Sequence, residues 1–282
     1  MTGDSLLLGA VAYDPKVVAI WTGFRHWLSE HDLPFDYVLY SHYERQVEDL
    51  VAGRIHVAWN SPLAWVRALR LATSAGRTVR PLVMRDTDRD LTSVVVVRAD
   101  SGIAHVSDLD GRSVGTGAVD SPQATLIPLA YLAALGVKVS PRRFDVGVGL
   151  HGDHIGGERD AARALLAGEV DAAIMLDGNH LTFSREGVLP PGRTRILAQT
   201  GPYDHCTMSV VDLAPAALVD RFGALLRGMS YDDAALRPLL DLEGLTRWVP
   251  GRTDGYRALE AAVELFGFYG PAGEQGMPDY SP

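Results

Sequence analysis

The sequence predicts an α/β protein made of two similar lobes that face each other across a ligand cleft. The first observation is a phrase found once in each half: residues 52–60 read Ala-Gly-Arg-Ile-His-Val-Ala-Trp-Asn, and residues 167–177 read Ala-Gly-Glu-Val-Asp-Ala-Ala-Ile-Met-Leu-Asp. In both, a helical pattern ends at a glycine, the usual left-handed C-cap, and an apolar strand follows. The second observation is a pair of apolar runs that end in Tyr13-Asp14-Pro15 and Asp120-Ser121-Pro122, which are typical helix starts.

The first half alternates strands with helices. The first helix is predicted from Pro15 to about Glu30 because five large apolar residues recur on one of its faces. Asn60-Ser61-Pro62 is the predicted cap of the third helix. The predicted strands are Leu6–Ala12, Phe35–Tyr40, Ile55–Trp59, Arg80–Met84 and Ser93–Arg98, and the other helices are Tyr43–Ala52 and Leu63–Leu71. This alternation predicts a mostly parallel sheet.

The second half repeats the theme and then returns to the first lobe. Its predicted strands are Ser113–Thr116, Arg143–Val148, Ala172–Leu176 and Thr194–Ala198, its helices are Pro122–Leu135 and Glu158–Ala167, and the returning elements are the strand Thr207–Val211 and helices near Pro215–Met229, Ala234–Leu242 and Asp254–Phe268. Two crossing segments are expected, at about Val97–Gly102 and Gln199–His205. The predicted lobes are therefore residues 1–98 with 206–282, and residues 99–205.

Composition narrows the function. The chain has 282 residues and a formal net charge of −9, which argues against nucleic acid or an anionic membrane surface as a partner. Cys206 is the only cysteine, so no internal disulfide can form. The start of the sequence lacks a secretory-signal pattern, and no run of about 20 apolar residues predicts a membrane span. The sequence as given is expected to be cytoplasmic, or periplasmic or extracellular if a leader has been removed.

Three stretches resemble the phosphate, phosphite and phosphonate substrate-binding proteins of ABC transporters. They are Val51–Val66, Ser101–Leu135 and Asp160–Asp177. The resemblance implies the type II periplasmic-binding-protein fold and a small anionic ligand, a phosphonate, a phosphate-like oxyanion or a carboxylate, held between the lobes by hydroxyls and amides at helix N-termini. It implies no cofactor, and it offers an ABC permease or a regulatory protein as the partner.

By that resemblance the expected ligand contacts in the polar turns are Tyr13, Asp14, Ser61, Ser121 and Gln123. Further candidate contacts lie beside these turns, in the loop before the second-lobe helix and on the return crossing: Asn60, His151, His154, Asp177, Tyr203 and His205. A serine at an N-cap can share its hydroxyl with a bound oxyanion while the following N–H groups point the same way. The alternative for Asp14 and Ser61 is that they only cap helices.

The chain also departs from that family's pattern. Family members carry two further hydroxyl residues after the serine, where this chain has Pro122 and Gln123, and a histidine shortly before the Asp160–Asp177 stretch, where it has Glu158 and Arg159. His151 or His154 is expected to take the place of that histidine. The bound species is therefore expected to differ from a simple phosphonate.

A reactive cluster, Tyr203-Asp204-His205-Cys206, falls on the return crossing. Cys206 is either a small core residue or part of the site. Cys206 could in principle bind a transition metal or a soft oxyanion together with the histidines at positions 151, 154, 180 and 205. The sequence spacing of these residues matches no compact zinc module, so no metal is expected. The competing function is an enzyme of the lyase or synthase class on the same scaffold, for which Asp14, His154, His205 and Cys206 are the candidate catalytic residues.

Overall fold

The computed structural model describes residues 5–145 and 154–277, without the side chains of residues 154 and 155. This part of the protein consists of two mixed β-sheets with helices packed against them. The strands are β1 Leu6–Val11, β2 Phe35–Tyr40, β3 Val57–Asn60, β4 Val79–Arg85, β5 Ser93–Arg98, β6 Ser113–Thr116, β7 Ser140–Arg143, β8 Ala172–Leu176, β9 Thr194–Gln199, β10 Thr207–Val211 and β11 Trp248–Pro250. The α-helices are α1 Lys16–Glu30, α2 Tyr43–Val51, α3 Pro62–Ser74, α4 Ile127–Ala134, α5 His154–Ala167, α6 Asp177–Arg185, α7 Ala216–Gly228, α8 Arg237–Glu243 and α9 Arg257–Phe266.

The two sheets have the same internal order. The first runs β11-β4-β10-β3-β1-β2 and the second runs β9-β5-β8-β6-β7. In each, one strand, β1 or β6, lies between the next two along the chain and pairs with both in parallel. In each, an antiparallel strand, β10 or β5, follows. The predicted likeness of the two halves is thus confirmed at the level of strand order.

The repeated phrase forms the same local structure twice. Gly53 follows α2 with a φ of +71°, and Gly168 follows α5 with a φ of +78°, so both adopt the left-handed conformation that glycine allows without strain. The strand that follows each glycine pairs with β1 or β6, with Gly9 opposite Ala58 and Gly115 opposite Ala173. The repeat therefore places equivalent turns at equivalent sheet edges.

One strand lies in a different sheet from the one predicted. The sequence analysis assigned Ser93–Arg98 to the first block, but β5 pairs with β8 and β9 in the second sheet. The first crossing is therefore the segment 86–92, ahead of this strand rather than after it, and the predicted boundary at residue 98 does not follow the strand pairing. The consecutive valines of β5 are buried on both faces of the sheet. Such a run would suit a central strand of either sheet, so its sequence does not indicate which strands it pairs with.

The return crossing lies where it was predicted, between β9 and β10. The two crossings are tied together by a short antiparallel bridge in which Leu91 and Tyr203 exchange backbone hydrogen bonds, both of 2.8 Å. The sheets are thus joined by two paired extended segments. This pairing brings residues 86–92 and 200–206 side by side at the base of the cleft.

The helix predicted at Pro122–Leu135 divides into two parts. Residues Pro122–Leu126 form a π-helical turn, and α4 follows. Pro128 has no N–H to donate to the carbonyl of Ala124, and that carbonyl instead accepts a 3.1 Å hydrogen bond from the N–H of Gly117. The widened turn carries Gln123.

The large apolar side chains occupy the predicted inner face of α1. Val17, Ile20, Trp21, Phe24 and Leu28 are all buried there. They pack in one cluster with strands of the first sheet and with α7 and α8. Among the described helices, none is long and apolar enough to cross a membrane.

Candidate ligand-binding cleft

A cavity of about 700 Å³ lies between the two sheets. Its described walls come from both lobes: Tyr13, Asp14, Lys16, Tyr43, Glu44, Trp59, Ser61, Pro62, Leu63, Ala64, Arg85, Thr87, Asp88, Leu91, Asp120, Pro122, Gln123, Leu176, Asn179, His205, Cys206 and Tyr269. Half of these residues follow the carboxyl ends of β1, β3, β6 and β8. Ligands of open α/β sheets bind at those ends, because the helices that follow start there.

Two serine-proline pairs start equivalent helices at this cavity but differ in access to it. The Ser61 hydroxyl accepts a 3.2 Å hydrogen bond from the Ala64 N–H, and the Ser121 hydroxyl accepts a 3.1 Å bond from the Ala124 N–H. Ser61 lines the cavity. Ser121 is 0% exposed and does not line it, so the structure presents Ser121 as a helix cap alone.

Of the other predicted contacts, Tyr13, Asp14, Gln123 and His205 also line the cavity. Asp14 accepts a 2.8 Å hydrogen bond from the Lys16 backbone N–H, which fixes its carboxylate at the start of α1. Burial and nearby carboxylates raise the pKa of Tyr13 to about 12, so its phenol remains a hydrogen-bond donor at neutral pH.

Besides Ser121, three predicted contacts do not line the cavity. Asn60 is fully buried, where it accepts from Gln46 and donates to Ser209. Tyr203 is buried with its hydroxyl 2.7 Å from the Ser93 hydroxyl. Asp177 accepts a 2.7 Å hydrogen bond from Thr92. All three support the strands and crossings around the cleft.

The two histidines of the 151–154 stretch cannot be placed by side chain. His151 lies outside the described residues, and His154 is described only as the first backbone position of α5. Their predicted role in binding stays a prediction.

An ion network that the sequence analysis did not foresee lies at the first crossing. The Arg85 guanidinium donates to both carboxylate oxygens of Asp88, at 2.6 and 2.9 Å, and lies 3.6 Å from a carboxylate oxygen of Glu243. It also stacks over the Trp59 ring, 5.3 Å from the ring centre. Burial alone would raise the pKa of Asp88, but the Arg85 charge lowers it to about 2, so this pair stays ionised.

A buried carboxyl group lies behind the second-lobe wall. One Glu158 oxygen accepts from the Leu176 N–H at 2.9 Å and from the Asn179 amide at 2.7 Å, and the other accepts from the Gln123 amide at 3.3 Å. Burial raises the pKa of Glu158 to about 7, although these hydrogen bonds favour the charged form and oppose the shift. Asn179 and Gln123 both line the cavity, so Glu158 fixes the positions of two amides in its wall.

His205 and Cys206 meet on the return crossing. The His205 Nδ1 atom lies 3.2 Å from the Cys206 sulfur and 3.6 Å from Asp88 Oδ1. Burial alone would lower the pKa of His205, but Cys206 and Asp88 together raise it to about 10. The sequence analysis missed Asp88 as a neighbour because only the paired crossings bring it to this histidine.

A family model described as "ABC transporter, phosphonate, periplasmic substrate-binding protein" matches residues 10–256. Solved structures show the same fold. PhnD1 of Prochlorococcus marinus in complex with methylphosphonate superposes with a TM-score of 0.66 at 15% identity, covering 94% of this chain and 98% of that one. A Xanthomonas citri protein bound to ATP gives 0.69 at 17% identity, covering 93% and 98%.

The periplasmic aliphatic sulphonate-binding protein SsuA of Escherichia coli gives a TM-score of 0.55 at 18% identity, covering 94% of this chain and 92% of that one. At identities this low, the superpositions show a shared fold alone, and it is the type II periplasmic-binding-protein fold that the family resemblance implied. The enzyme alternative receives no support from these comparisons. The match to most of the chain shows that the protein belongs to the family of periplasmic substrate-binding proteins of phosphonate ABC transporters.

Proposed function

We propose that the cleft binds one organic oxyanion, a phosphonate, phosphate ester or sulfonate, through Lys16, Ser61 and the start of α3, with Tyr13, Gln123 and Asn179 as further donors. The observation that carries the proposal is that Lys16 and the α3 N-terminus line the same cavity. A lysine ammonium and the N–H groups at a helix start both favour an anion.

The size and lining of the cavity support a ligand larger than methylphosphonate. A volume of about 700 Å³ lies in the range that holds drug-sized ligands. Aromatic rings form much of the wall beside the polar groups: Tyr13, Tyr43, Trp59 and Tyr269. The proposed ligand therefore carries an apolar or aromatic substituent on its oxyanion.

The location and partner are proposed from the family. Its members are described as periplasmic components of ABC transporters. Delivery of the ligand to a permease is the role that such a component performs. A regulatory protein is the alternative partner.

Isothermal titration with methylphosphonate, phenylphosphonate, inorganic phosphate and an uncharged phenyl amide tests the proposal. We expect phenylphosphonate to bind most tightly and the uncharged amide to bind least. Binding of the uncharged amide as tightly as phenylphosphonate would contradict an oxyanion site. Tighter binding of methylphosphonate than of phenylphosphonate would contradict the proposed substituent.

The two serine-proline caps provide a matched pair of variants. Ser61→Ala is expected to weaken phenylphosphonate binding by about 1–2 kcal/mol, since it removes a hydroxyl that faces the ligand. Ser121→Ala removes the same kind of cap from a buried position and is expected to lower only the free energy of unfolding, by about 1 kcal/mol. Titration and denaturation of both variants check this. Equal effects of the two substitutions on affinity would contradict a ligand contact by Ser61.

The chain contains two lysines, and only Lys16 lines the cleft. Lys16→Met is expected to weaken phenylphosphonate binding by about 2 kcal/mol, because a charged donor to the oxyanion is lost. The loss should shrink as salt is raised, since exposed charges are screened. Lys138→Met, an exposed position on the loop after α4, is the control and should bind as the wild type does.

A further inference from the structure

Three metal-binding side chains meet on the wall of the cavity, at the point where the two crossings pair. Asp88, His205 and Cys206 each offer one ligand atom, and these atoms all lie within 4.8 Å of one another. Asp88 comes from the first crossing, whereas His205 and Cys206 come from the second. The binding of an oxyanion by Lys16 and α3 makes no use of a thiol.

The geometry differs from that of a catalytic triad. In a triad, the imidazole contacts the nucleophile through one ring nitrogen and the acid through the other. Here the same atom, His205 Nδ1, faces both the Cys206 sulfur at 3.2 Å and Asp88 Oδ1 at 3.6 Å. One imidazole nitrogen therefore lies next to both other donor atoms instead of forming a relay with them.

These separations suit a metal ion. Zinc binds cysteine sulfur at about 2.3 Å and imidazole nitrogen or carboxylate oxygen at about 2.0–2.1 Å, so neighbouring ligands of a tetrahedral site lie roughly 3.3–3.5 Å apart. Thiolate, imidazole and carboxylate together form a donor set that zinc accepts. Three protein ligands leave a fourth position open.

The donors are held in place by the surrounding structure. The His205 N–H donates to the Asp88 carbonyl at 2.8 Å, and the Tyr256 hydroxyl donates to the His205 carbonyl at 2.7 Å. Arg85 holds both Asp88 oxygens. Hydrogen-bond partners of this kind orient metal ligands.

The charge of the cavity also favours a bound cation. Four carboxylates line it, from Asp14, Glu44, Asp88 and Asp120, and the lysine and arginine of the described lining are Lys16 and Arg85. A divalent cation at this point would offset the excess of negative charge and make the cavity more favourable for an anion.

We propose that Asp88, His205 and Cys206 bind a thiophilic divalent cation, with Zn²⁺ as the best fit, and that its open coordination position faces the ligand cavity. The sequence analysis expected no metal because neighbouring residues show no zinc-module spacing. The third ligand, Asp88, is distant in sequence and reaches the other two only through the paired crossings.

Metal binding by the tag-free protein tests the site without any oxyanion present. Equilibrium dialysis against Zn²⁺ should find one tightly bound ion per chain in the wild type, and at least about tenfold weaker binding in Cys206→Ser and in His205→Gln. His180→Gln, which removes a histidine outside the cluster, should bind as the wild type does. Co²⁺ should show a thiolate-to-metal charge-transfer band in the wild type that Cys206→Ser lacks.

Equal Zn²⁺ affinity in the wild type and Cys206→Ser, or a Co²⁺ complex without the thiolate band, would overturn the proposal. Thermal melts of both variants verify that they are folded. A second titration measures phenylphosphonate affinity with Zn²⁺ and with a chelator, and at least about tenfold tighter binding with Zn²⁺ is expected. Equal affinity would overturn the open position facing the ligand. Zinc bound without any phenylphosphonate binding would instead contradict the proposed function.

Discussion

Asp204→Asn is expected to lower the free energy of unfolding by about 2 kcal/mol, because the buried carboxylate that accepts two charge-assisted hydrogen bonds from Arg252 is lost. The Asp204 side chain is 0% exposed. It accepts two hydrogen bonds from the Arg252 guanidinium, both of 2.6 Å, and a third of 3.1 Å from the Asp90 N–H. This single carboxylate therefore connects both crossings to the loop before α9. Urea denaturation at neutral pH measures the loss.

Asp90→Asn is the matched control, since Asp90 pairs with the same arginine at 2.7 Å but its side chain is 66% exposed. An exposed pair contributes about 0–1 kcal/mol, and asparagine tolerates the positive φ of 56° at this position. We expect at most about 1 kcal/mol of destabilisation. An equal loss in the free energy of unfolding for both variants would mean that the burial of Asp204 does not determine how much it stabilises the protein.

The features of the fold that could be predicted from sequence are those that depend on the local preferences of individual residues. The glycines at positions 53 and 168 and the proline turns at 15 and 122 mark element ends through their own backbone preferences. The apolar spacing of α1 identifies its buried face without any tertiary information. These signals are repeated in each half, which is why the two-lobed architecture could be predicted from one sequence.

Features that depend on partners distant in sequence could not be predicted. The strand β5 carries no mark of which sheet it joins, and α6 follows β8 without a proline or serine cap. Gly255 lies against Asp204, where an added Cβ would come 2.1 Å from the Asp204 carboxyl carbon, but the sequence shows only a glycine. Such close approaches are visible only once the fold is formed.

The same division applies to the candidate site. Tyr13, Asp14, Ser61 and Gln123 follow strand ends directly and were found from local patterns. Arg85 ends β4, and Asp88 reaches His205 only because the two crossings pair, so no local motif could have identified either residue. Ser121 carries the same Ser-Pro signal as Ser61, and only the packing around it determines that its hydroxyl is buried.

Glu158→Gln is expected to stabilise the protein by about 3 kcal/mol at pH 8 and to leave its stability almost unchanged at pH 4.5. The pKa of Glu158 rises from 4.5 to about 7 on folding, because burial disfavours its charge. The folded state therefore binds a proton more tightly than the unfolded chain does. The stability that this proton contributes is fully present below pH 4.5 and is lost as the pH rises through 7. Glutamine at this position cannot ionise, so the variant does not lose this stability as the pH rises.

The hydrogen bonds around Glu158 allow the substitution. The side-chain oxygen of the new glutamine can accept from Leu176 and Asn179. Its NH2 group can donate to the side-chain oxygen Oε1 of Gln123, which is buried and has no hydrogen-bond partner among the described residues. Rotation of the Gln123 amide by 180° makes that contact. Such a rotation would also turn the Gln123 N–H groups away from Glu158.

Urea denaturation between pH 4.5 and pH 8 checks the prediction. Glu243 is a second buried glutamate whose pKa is raised by burial to about 7, and His205 is the charged group that acts on Glu158 across the cleft. Both are present in the wild type and in the variant, so the difference between the two isolates Glu158. Glu169→Gln, an exposed position in the same lobe, should shift stability by less than about 1 kcal/mol at either pH. A constant offset between wild type and Glu158→Gln across this range would mean that Glu158 keeps an ordinary pKa in the folded protein.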